Sequence, residues 1–190
     1  SGNYILPLTV TDKYTGTDFV LNLLLQRNTD GVWQITKIVN YHDYLVHVRD
    51  LCETDIDSYI KDTKAKNTEY NNKFKSLQTQ FQNITKNIGS DISKDKRSQM
   101  QKFIVNNIIP AYRAYEDYLQ NVDVPSGALH LHTLRLNSTS KTIESWQSFA
   151  KGIEDNSAAE LAEAEKAHQD SLDLEQKVSD IINKMPALFV

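Results

Sequence analysis

The feature of this sequence that most limits how it can fold is a change of hydrophobic period at Asn40. Before Asn40, apolar residues recur at every second position, which is the period of a strand with one buried face. After Asn40, they recur every three or four positions, the period of a helix packed against other helices. We therefore predict an α+β fold, in which a three-stranded antiparallel β-meander at residues 1–40 precedes an antiparallel up-down four-helix bundle at residues 41–190.

The meander is predicted from three alternating segments that are separated by turn signals. The segments are residues 4–10, 19–26 and 32–39. Gly16 lies in the first polar stretch and Gly31 in the second, where glycine tolerates the positive φ of a hairpin turn. Pro7 indicates an edge strand, because proline cannot donate to a central ladder. Such a sheet has a face and edges to cover, which a helix of the bundle, upstream strands or a second chain could do.

The first predicted helix runs over residues 41–88 and carries a heptad seam. The seam residues alternate steps of four and three: Tyr70, Phe74, Leu77, Phe81, Ile84 and Ile88. This spacing is typical of helices that pack as coiled coils. Upstream, residues 54–57 resemble a capping sequence, which leaves open whether the helix breaks there.

Three further helices are predicted, and their short connections imply antiparallel neighbours. They cover residues 93–121, residues 127–154, and a last segment that begins after Asn156 or Ser157. In the second helix we expect a kink at residues 106–109, because Pro110 removes a backbone donor and crowds the preceding turn. Ser157 and Glu160 fit a capping box at the start of the last helix, and Pro186 ends it. The predicted buried stripe of that helix comprises Leu161, Ala164, Leu172, Val178, Ile181, Ile182 and Met185.

Composition argues against two classes of partner. A formal net charge of -4 with interspersed signs gives no basic face for a phosphate backbone, so we expect no nucleic-acid partner. No segment approaches the run of about 20 apolar residues that spans a bilayer, so we expect no membrane span.

The chain begins with Ser1 and Gly2 rather than with methionine, so we expect a trimmed start, with room for an upstream signal peptide or lipid anchor.

The third strand and its hairpin carry a family resemblance. Residues 30–38 read Asp-Gly-Val-Trp-Gln-Ile-Thr-Lys-Ile, which resembles the Gly-x-Trp-x-Ile strand that ends NTF2-like (cystatin-like) domains. The resemblance covers residues 4–40 and implies the C-terminal part of a curved sheet wrapped by helices around a cone-shaped pocket. That fold serves both small enzymes and non-catalytic binding or oligomerisation modules. The helices that close such a pocket would lie before Ser1.

The helical part is similar to the bundles of uncharacterised bacterial envelope proteins and lipoproteins. The similarity lies in Leu129, His130 and His132, followed by Ile143 and Trp146. Together the two resemblances imply an extracytoplasmic bacterial protein, in the envelope or secreted.

These patterns are compatible with two functions. The first is a non-enzymatic interaction module, in which the sheet supports the bundle and the bundle presents a surface to a protein partner. The alternative is a small-molecule-binding or enzymatic NTF2-like pocket whose N-terminal part is missing, with Trp33, Tyr14 or His42 near its mouth. Self-association through the heptad seam or the sheet edge is compatible with either.

The candidate ligand or interface surface consists of aromatic residues. Its members are Trp33, Tyr112, Tyr115 and Tyr118. The three tyrosines recur at steps of three on one helix, and tyrosine is favoured at interfaces. Because tyrosine can bury its ring while its hydroxyl reaches water, packing in the core explains the triplet more simply.

Two histidine patterns resemble parts of metal sites, but neither supplies enough ligands, so no metal, cofactor or catalytic residue is predicted. Glu165 and His168 have the Glu-x-x-His spacing of di-iron bundles, but the second such motif is missing from the first and second helices. His130 and His132 point in nearly opposite directions on a helix, so they cannot bind one ion together.

The single cysteine, Cys52, lies near His47 in the sequence, as a nucleophile and its base would. Five residues apart on a helix, the two side chains diverge by about 140°. A half-buried cysteine that packs as a small apolar side chain is the simpler interpretation.

Overall fold

The architecture is a three-stranded sheet followed by a helical bundle, in a computed structural model that describes residues 2–11, 16–86 and 92–184. The strands are β1 (Asn3–Thr11), β2 (Asp18–Arg27) and β3 (Trp33–Ile38). The α-helices are α1 (Tyr41–Thr85), α2 (Lys94–Phe103), α3 (Ile109–Asn121), α4 (Leu129–Asp155) and α5 (Ala158–Lys184). Because α2 and α3 follow each other through a π-helical turn, they take the place of the single second helix that was predicted. The predicted fold, an α+β meander followed by a four-helix bundle, is confirmed.

The sheet is a meander in the order β1-β2-β3, and both neighbouring pairs are antiparallel. β1 lies at an edge, as Pro7 predicted. Asn28 closes the second hairpin, because its Oδ1 accepts hydrogen bonds from the backbone N–H of Asp30 (3.0 Å) and of Val32 (2.8 Å). Gly31 follows with a φ of 81°, so the turn uses the conformational freedom that suggested it.

Asn40, where the hydrophobic period changes, fastens α1 to the sheet. Its side-chain Oδ1 accepts from the N–H of Asn22 (2.8 Å), and its Nδ2 donates to the carbonyl of Val20 (2.8 Å). The ring of Phe19 then lies 5.1 Å from the ring of His47, in the second turn of α1. The first turns of α1 therefore pack on β2.

One face of the sheet carries most of its apolar residues, and α1 covers only part of that face. Cross-strand pairing places on it Tyr4, Leu6, Leu8, Val10, Phe19, Leu21, Leu23 and Leu25. Leu23 is 7% exposed, whereas Tyr4 at the far end is 58% exposed. The bundle therefore covers this sheet at one end.

α1 is continuous through Thr54, which answers the question that the sequence left open. The Thr54 hydroxyl donates back to the Asp50 carbonyl of its own helix (2.9 Å). Asp55 instead accepts from the N–H of Gly127 at 2.8 Å, just before α4 begins. A Cβ at Gly127 would lie 2.8 Å from the Cα of Cys52, so this close approach requires glycine. The capping sequence within α1 thus caps a different helix, and the seam residue Ile88 lies outside the described residues.

The irregularity expected before Pro110 takes the form of a π-helical turn at Ile104–Ile108. The N–H of Ile109 bonds to the carbonyl of Ile104, five residues back. The side chain of Asn107 donates to the Phe103 carbonyl (3.2 Å), which supplies a partner in a region where the regular ladder is interrupted. One consequence of the extra residue in this turn is that both Ile108 and Ile109 are buried.

α4 and α5 pack against each other along their length, with a short turn between them. Asn156 ends α4 in the left-handed conformation (φ 52°), and the hydroxyl of Ser157 accepts from the N–H of Glu160 (3.3 Å), as the capping box predicted. The facing residues are small: Ser138, Thr142, Ser145, Gly152, Ala164 and Ser171. Small facing side chains allow the two backbones to approach closely. Pro186 and Met185 lie outside the described residues.

Two clusters of buried hydrophobic residues lie in the bundle. The larger joins α2, the π turn, the start of α3 and α4: Met100, Ile104, Ile108, Ile109, Ile143, Ala150 and Ile153. The smaller joins α1 to the start of α4: Ile56, Tyr59, Ala128 and Leu131. Among the described helices, none has both the length and the apolar character required to cross a bilayer.

Candidate binding cleft

α1 and α5 face each other across a cleft whose floor is formed by α3 and α4. Its walls are residues 71–85 of α1 and residues 161–178 of α5, and its volume is about 1100 Å³. At 1.5 Å of rise per residue, the two walls are roughly 21 and 26 Å long. The cleft therefore follows the helix axes for several turns.

The cleft exists because the two walls pack on different neighbours. α5 packs along α4, whereas α1 packs on α2 and α3. At one end the gap closes, where Val178 and Ile181 of α5 pack against the cluster that contains Ile56 and Tyr59 of α1. Beyond that end, the aromatic residues of α1 line the space that separates it from α5.

Aromatic side chains from three helices line the cleft. They are Phe74 and Phe81 of α1, Tyr112 and Tyr115 of α3, and Trp146 and Phe149 of α4. Phe74 and Tyr112 stack with ring centroids 4.0 Å apart and planes 5° apart, and Phe81 meets Trp146 edge-on at 5.5 Å. All six are only half-buried. Packing therefore holds each ring in place while part of its surface stays uncovered.

The heptad seam of α1 supplies this wall. None of its five described members is fully buried: Tyr70, Phe74, Leu77, Phe81 and Ile84. Leu77, Phe81 and Ile84 pack against the larger core cluster, and Phe74, Leu77 and Phe81 also line the cleft. The seam is thus covered on one side by α2, α3 and α4 and remains partly uncovered on the other.

Hydroxyl groups of α4 and α5 lie along the floor, and they bond within the protein. The hydroxyls of Thr142 and Ser171 are 2.7 Å apart, and those of Ser138 and Ser171 are 3.2 Å apart. Ser145 donates to the Ala164 carbonyl (2.8 Å). These hydroxyl groups therefore find their hydrogen-bond partners within α4 and α5.

The charged residues at the two rims have opposite signs. Lys75 lies on the α1 wall, and Glu165 and Glu175 lie on the α5 wall; all three are exposed. Arg135 lies at the floor, with its guanidinium 5.1 Å from the centre of the Tyr59 ring, and it donates to the Thr63 hydroxyl (3.4 Å). The cleft therefore combines aromatic side chains with hydroxyl groups and one arginine at its floor, and its exposed charges lie at its edges.

The structure brings two of the four candidate surface residues to this cleft. Tyr112 and Tyr115 line it, whereas Tyr118 stacks on Tyr70 (5.9 Å) outside it. The Tyr115 hydroxyl donates to Asn67 Oδ1 (3.1 Å), while the Tyr112 hydroxyl has no hydrogen bond to any described residue. Burial raises the pKa of both Tyr112 and Tyr115 to about 12, and it also raises the pKa of Tyr118.

The fourth candidate, Trp33, lies in the sheet, apart from the residues that line the cleft. It is 43% exposed on β3, and the Arg27 guanidinium lies 5.1 Å from the centre of its ring. His42 is exposed in the first turn of α1, and Tyr14 lies outside the described residues. The structure does not join Trp33 and the tyrosines into one surface.

The histidines occupy separate environments. His132 lies with Nδ1 3.0 Å from the buried Tyr59 hydroxyl, and burial, followed by the charge of Arg135, lowers its pKa. His130 is exposed, and so are Glu165 and His168, the latter two at the rim of the cleft. In the part of the chain that the structure describes, no group of three or more His, Cys, Asp or Glu residues could hold a metal ion.

His47 and Cys52 also have different surroundings, as their spacing on α1 indicated. His47 packs on Phe19 of the sheet, whereas the Cα of Cys52 lies beneath Gly127. The Cys52 side chain is half-buried, as the interpretation of a small apolar residue requires.

Three residues of the predicted buried stripe of α5 are exposed instead. Leu161 is 38% exposed and Leu172 is 42% exposed, and both line the cleft. Ile182 of the same predicted stripe is 39% exposed. The stripe prediction was wrong for these residues, because periodicity identifies an apolar face but does not say whether anything covers it. Together with the α1 seam, the two leucines were the available signal for a cleft.

Comparison of the chain with protein-family models, with curated proteins and with solved structures gave no match. The NTF2-like resemblance of residues 4–40 therefore stays a prediction.

Proposed function

We propose that this protein is a non-enzymatic binding module of the bacterial cell envelope, and that its cleft receives an apolar surface of a protein partner. The observation that carries the proposal is the set of six half-buried aromatic residues along a concave site of about 1100 Å³. Covering apolar surface contributes about 25 cal/mol per Å². A partner that fills this cleft therefore gains affinity from the uncovered parts of these rings.

The distribution of polar groups also supports binding rather than catalysis. Ser145 already donates to a backbone carbonyl, and Ser138, Thr142 and Ser171 bond to one another. The exposed charges lie at the rims, where they can orient a partner. The envelope location rests on the resemblance of the helical part, and fractionation of the source cells tests it.

The two tryptophans of the chain make the cleft directly testable, because Trp146 lines it and Trp33 lies in the sheet. In the variant Trp33→Phe, the remaining indole reports on the cleft. We expect the apolar dye anilinonaphthalene sulfonate to bind this variant saturably and to accept excitation energy from Trp146.

A matched pair of α5 variants locates the bound dye. Leu172→Gln removes an exposed leucine from the cleft, and Ile182→Gln removes a similarly exposed residue of the same helix that does not line it. We expect Leu172→Gln to weaken dye binding by about fivefold, since roughly 1 kcal/mol of apolar contact is lost. Ile182→Gln should leave binding unchanged. No energy transfer from Trp146, or equal affinities for the two variants, would contradict the proposal.

A further inference from the structure

We infer that the occupant of the cleft is an amphipathic α-helix of a partner protein, about four turns long, with an acidic flank facing α1 and a basic flank facing α5. This inference rests on the proposed function and identifies the partner's chemistry.

The dimensions of the cleft favour a helix over a small molecule. Walls of roughly 21 and 26 Å accommodate about 14 to 17 helical residues at 1.5 Å each. The volume of about 1100 Å³ lies at the upper limit for small-ligand pockets, roughly 300 to 1,000 Å³, so the length of the walls rather than the volume favours a helix. The floor hydroxyls are bonded within the protein, so they do not supply the convergent polar groups that fix a small ligand.

The spacing of the wall residues is that of a helix-binding surface. Phe74, Leu77 and Phe81 belong to a heptad seam, and such a seam packs its side chains between those of a facing helix. These three residues are half-buried, so the described bundle does not complete that packing. Across the cleft, Leu161 and Leu172 of α5 are exposed and lie three turns apart on the same wall. An apolar stripe on a helix laid between the walls would contact both sets.

The charges of the two walls determine which sign of charge each flank of the partner helix carries. Residues 71–85 of α1 contain no acidic residue, and Lys75 is the lysine of that stretch that lines the cleft, whereas residues 161–178 of α5 contain five acidic and two basic residues. Lys75 and the pair Glu165 and Glu175 line the cleft directly. A helix with glutamates toward α1 and lysines toward α5 complements both walls. Because reversing a helix in the groove exchanges its flanks, this complementarity also selects one direction of binding.

The test uses designed peptides and the Trp33→Phe protein. The first peptide is an acetylated and amidated helix of about 18 residues, with leucine at the heptad a and d positions, glutamate on one flank and lysine on the other. The second has the same composition, with its leucines spread around the helix. We expect the first to change Trp146 fluorescence saturably and to bind at least about tenfold more tightly than the second.

A charge reversal at the α1 rim tests the flanks. Lys75→Glu makes both rims acidic, so this variant should prefer a peptide with lysine on both flanks, by about threefold over the glutamate and lysine peptide. Lys73→Glu is the matched control, because Lys73 is exposed on α1 but does not line the cleft. Lys73→Glu should still prefer the peptide with one glutamate flank and one lysine flank, as the protein without a substitution on α1 does.

The outcomes separate this inference from the proposed function. Equal binding of the two isomeric peptides, or an unchanged flank preference in Lys75→Glu, would contradict the inference that the occupant is an amphipathic helix. If the dye binds at Trp146 and neither peptide does, the inference fails while the proposed function stands. If neither dye nor peptide binds, both fail. Dye binding that disappears as sedimentation shows a dimer forming would identify a second copy of this chain as the occupant and overturn the partner helix.

Discussion

At the scale of single residues, Tyr112 and Tyr115 of α3 have different structural roles. Tyr115 bonds through its hydroxyl to Asn67 of α1 (3.1 Å) and thereby connects two helices. Tyr112 stacks on Phe74, and its hydroxyl makes no hydrogen bond to a described residue. The first residue contributes to stability through its hydroxyl, whereas the second contributes through its ring and leaves its hydroxyl available at the cleft.

Replacing each of these tyrosines by phenylalanine should separate the two roles. Tyr115→Phe should lower the free energy of unfolding by about 1 kcal/mol, because the hydrogen bond to Asn67 is lost. Tyr112→Phe should change it by less than about 0.5 kcal/mol. Urea denaturation measures both values. A larger loss for Tyr112→Phe than for Tyr115→Phe would contradict the assignment.

His132 gives the fold a dependence on pH. Its pKa is lowered in the folded protein by burial and by the charge of Arg135, below the value of about 6.5 in an unfolded chain. As the pH falls through about 6.5, the unfolded chain takes up a proton before the folded one does, so stability falls until the pH reaches the folded pKa. Above about pH 6.5 the ring is neutral in both states, so the protein keeps the stability that it loses at lower pH.

The variant His132→Gln isolates this effect. Between about pH 7 and about pH 5, the wild-type protein should lose more unfolding free energy than the variant does, because the variant lacks the titrating ring. Urea denaturation at a series of pH values gives the comparison. Identical pH profiles would show that His132 does not contribute.

At the scale of secondary-structure elements, α1 organises the molecule. Its first turns pack on β2, its middle caps the start of α4 through Asp55, and its last turns form one wall of the cleft. The Asp55 contact joins residues 72 positions apart, since the carboxylate accepts the N–H of Gly127. A single helix thus connects the sheet, the start of α4 and the candidate site.

Removing the Asp55 carboxylate should therefore destabilise the protein. Asp55→Ala should cost about 1 kcal/mol, as expected when a helix N-terminus loses its capping group. Asp57→Ala is the control, because Asp57 is an exposed residue of the same helix and should change stability by less than about 0.5 kcal/mol. Thermal denaturation of both variants checks this. Equal midpoints would argue that the cap is not needed.

The predictability of these elements follows from how local their causes are. Hydrophobic period and turn glycines act over a few residues, so the strands, the α1 seam and the capping box of α5 could be predicted from the sequence. The contact between Asp55 and Gly127 forms only when α1 and the start of α4 come together in the folded protein. From the sequence alone, residues 54–57 could be described only as a capping sequence whose helix was not known. Pro110 predicted an irregularity, but a missing backbone donor does not determine that it takes the form of a π-helical turn in which both Ile108 and Ile109 are buried.

At the scale of the whole molecule, the arrangement of the helices creates the candidate site. The period of α5 predicted an apolar stripe, but whether Leu161 and Leu172 are covered depends on where α1 lies. Because α1 packs on α2 and α3 while α5 packs on α4, two apolar faces remain separated by the cleft. Which tyrosines line it, and that Trp33 does not, follow from this arrangement.

The two indole groups offer the most direct test of the claim that this cleft is the binding site. In a correlation spectrum of isotopically labelled protein, Trp33 and Trp146 each give one indole N–H signal, which tryptophan variants assign. On titration with the leucine-striped helical peptide, the signal of Trp146 should shift saturably while that of Trp33 stays in place. A shift of Trp33 alone, or no shift of Trp146 at saturating peptide, would contradict the account.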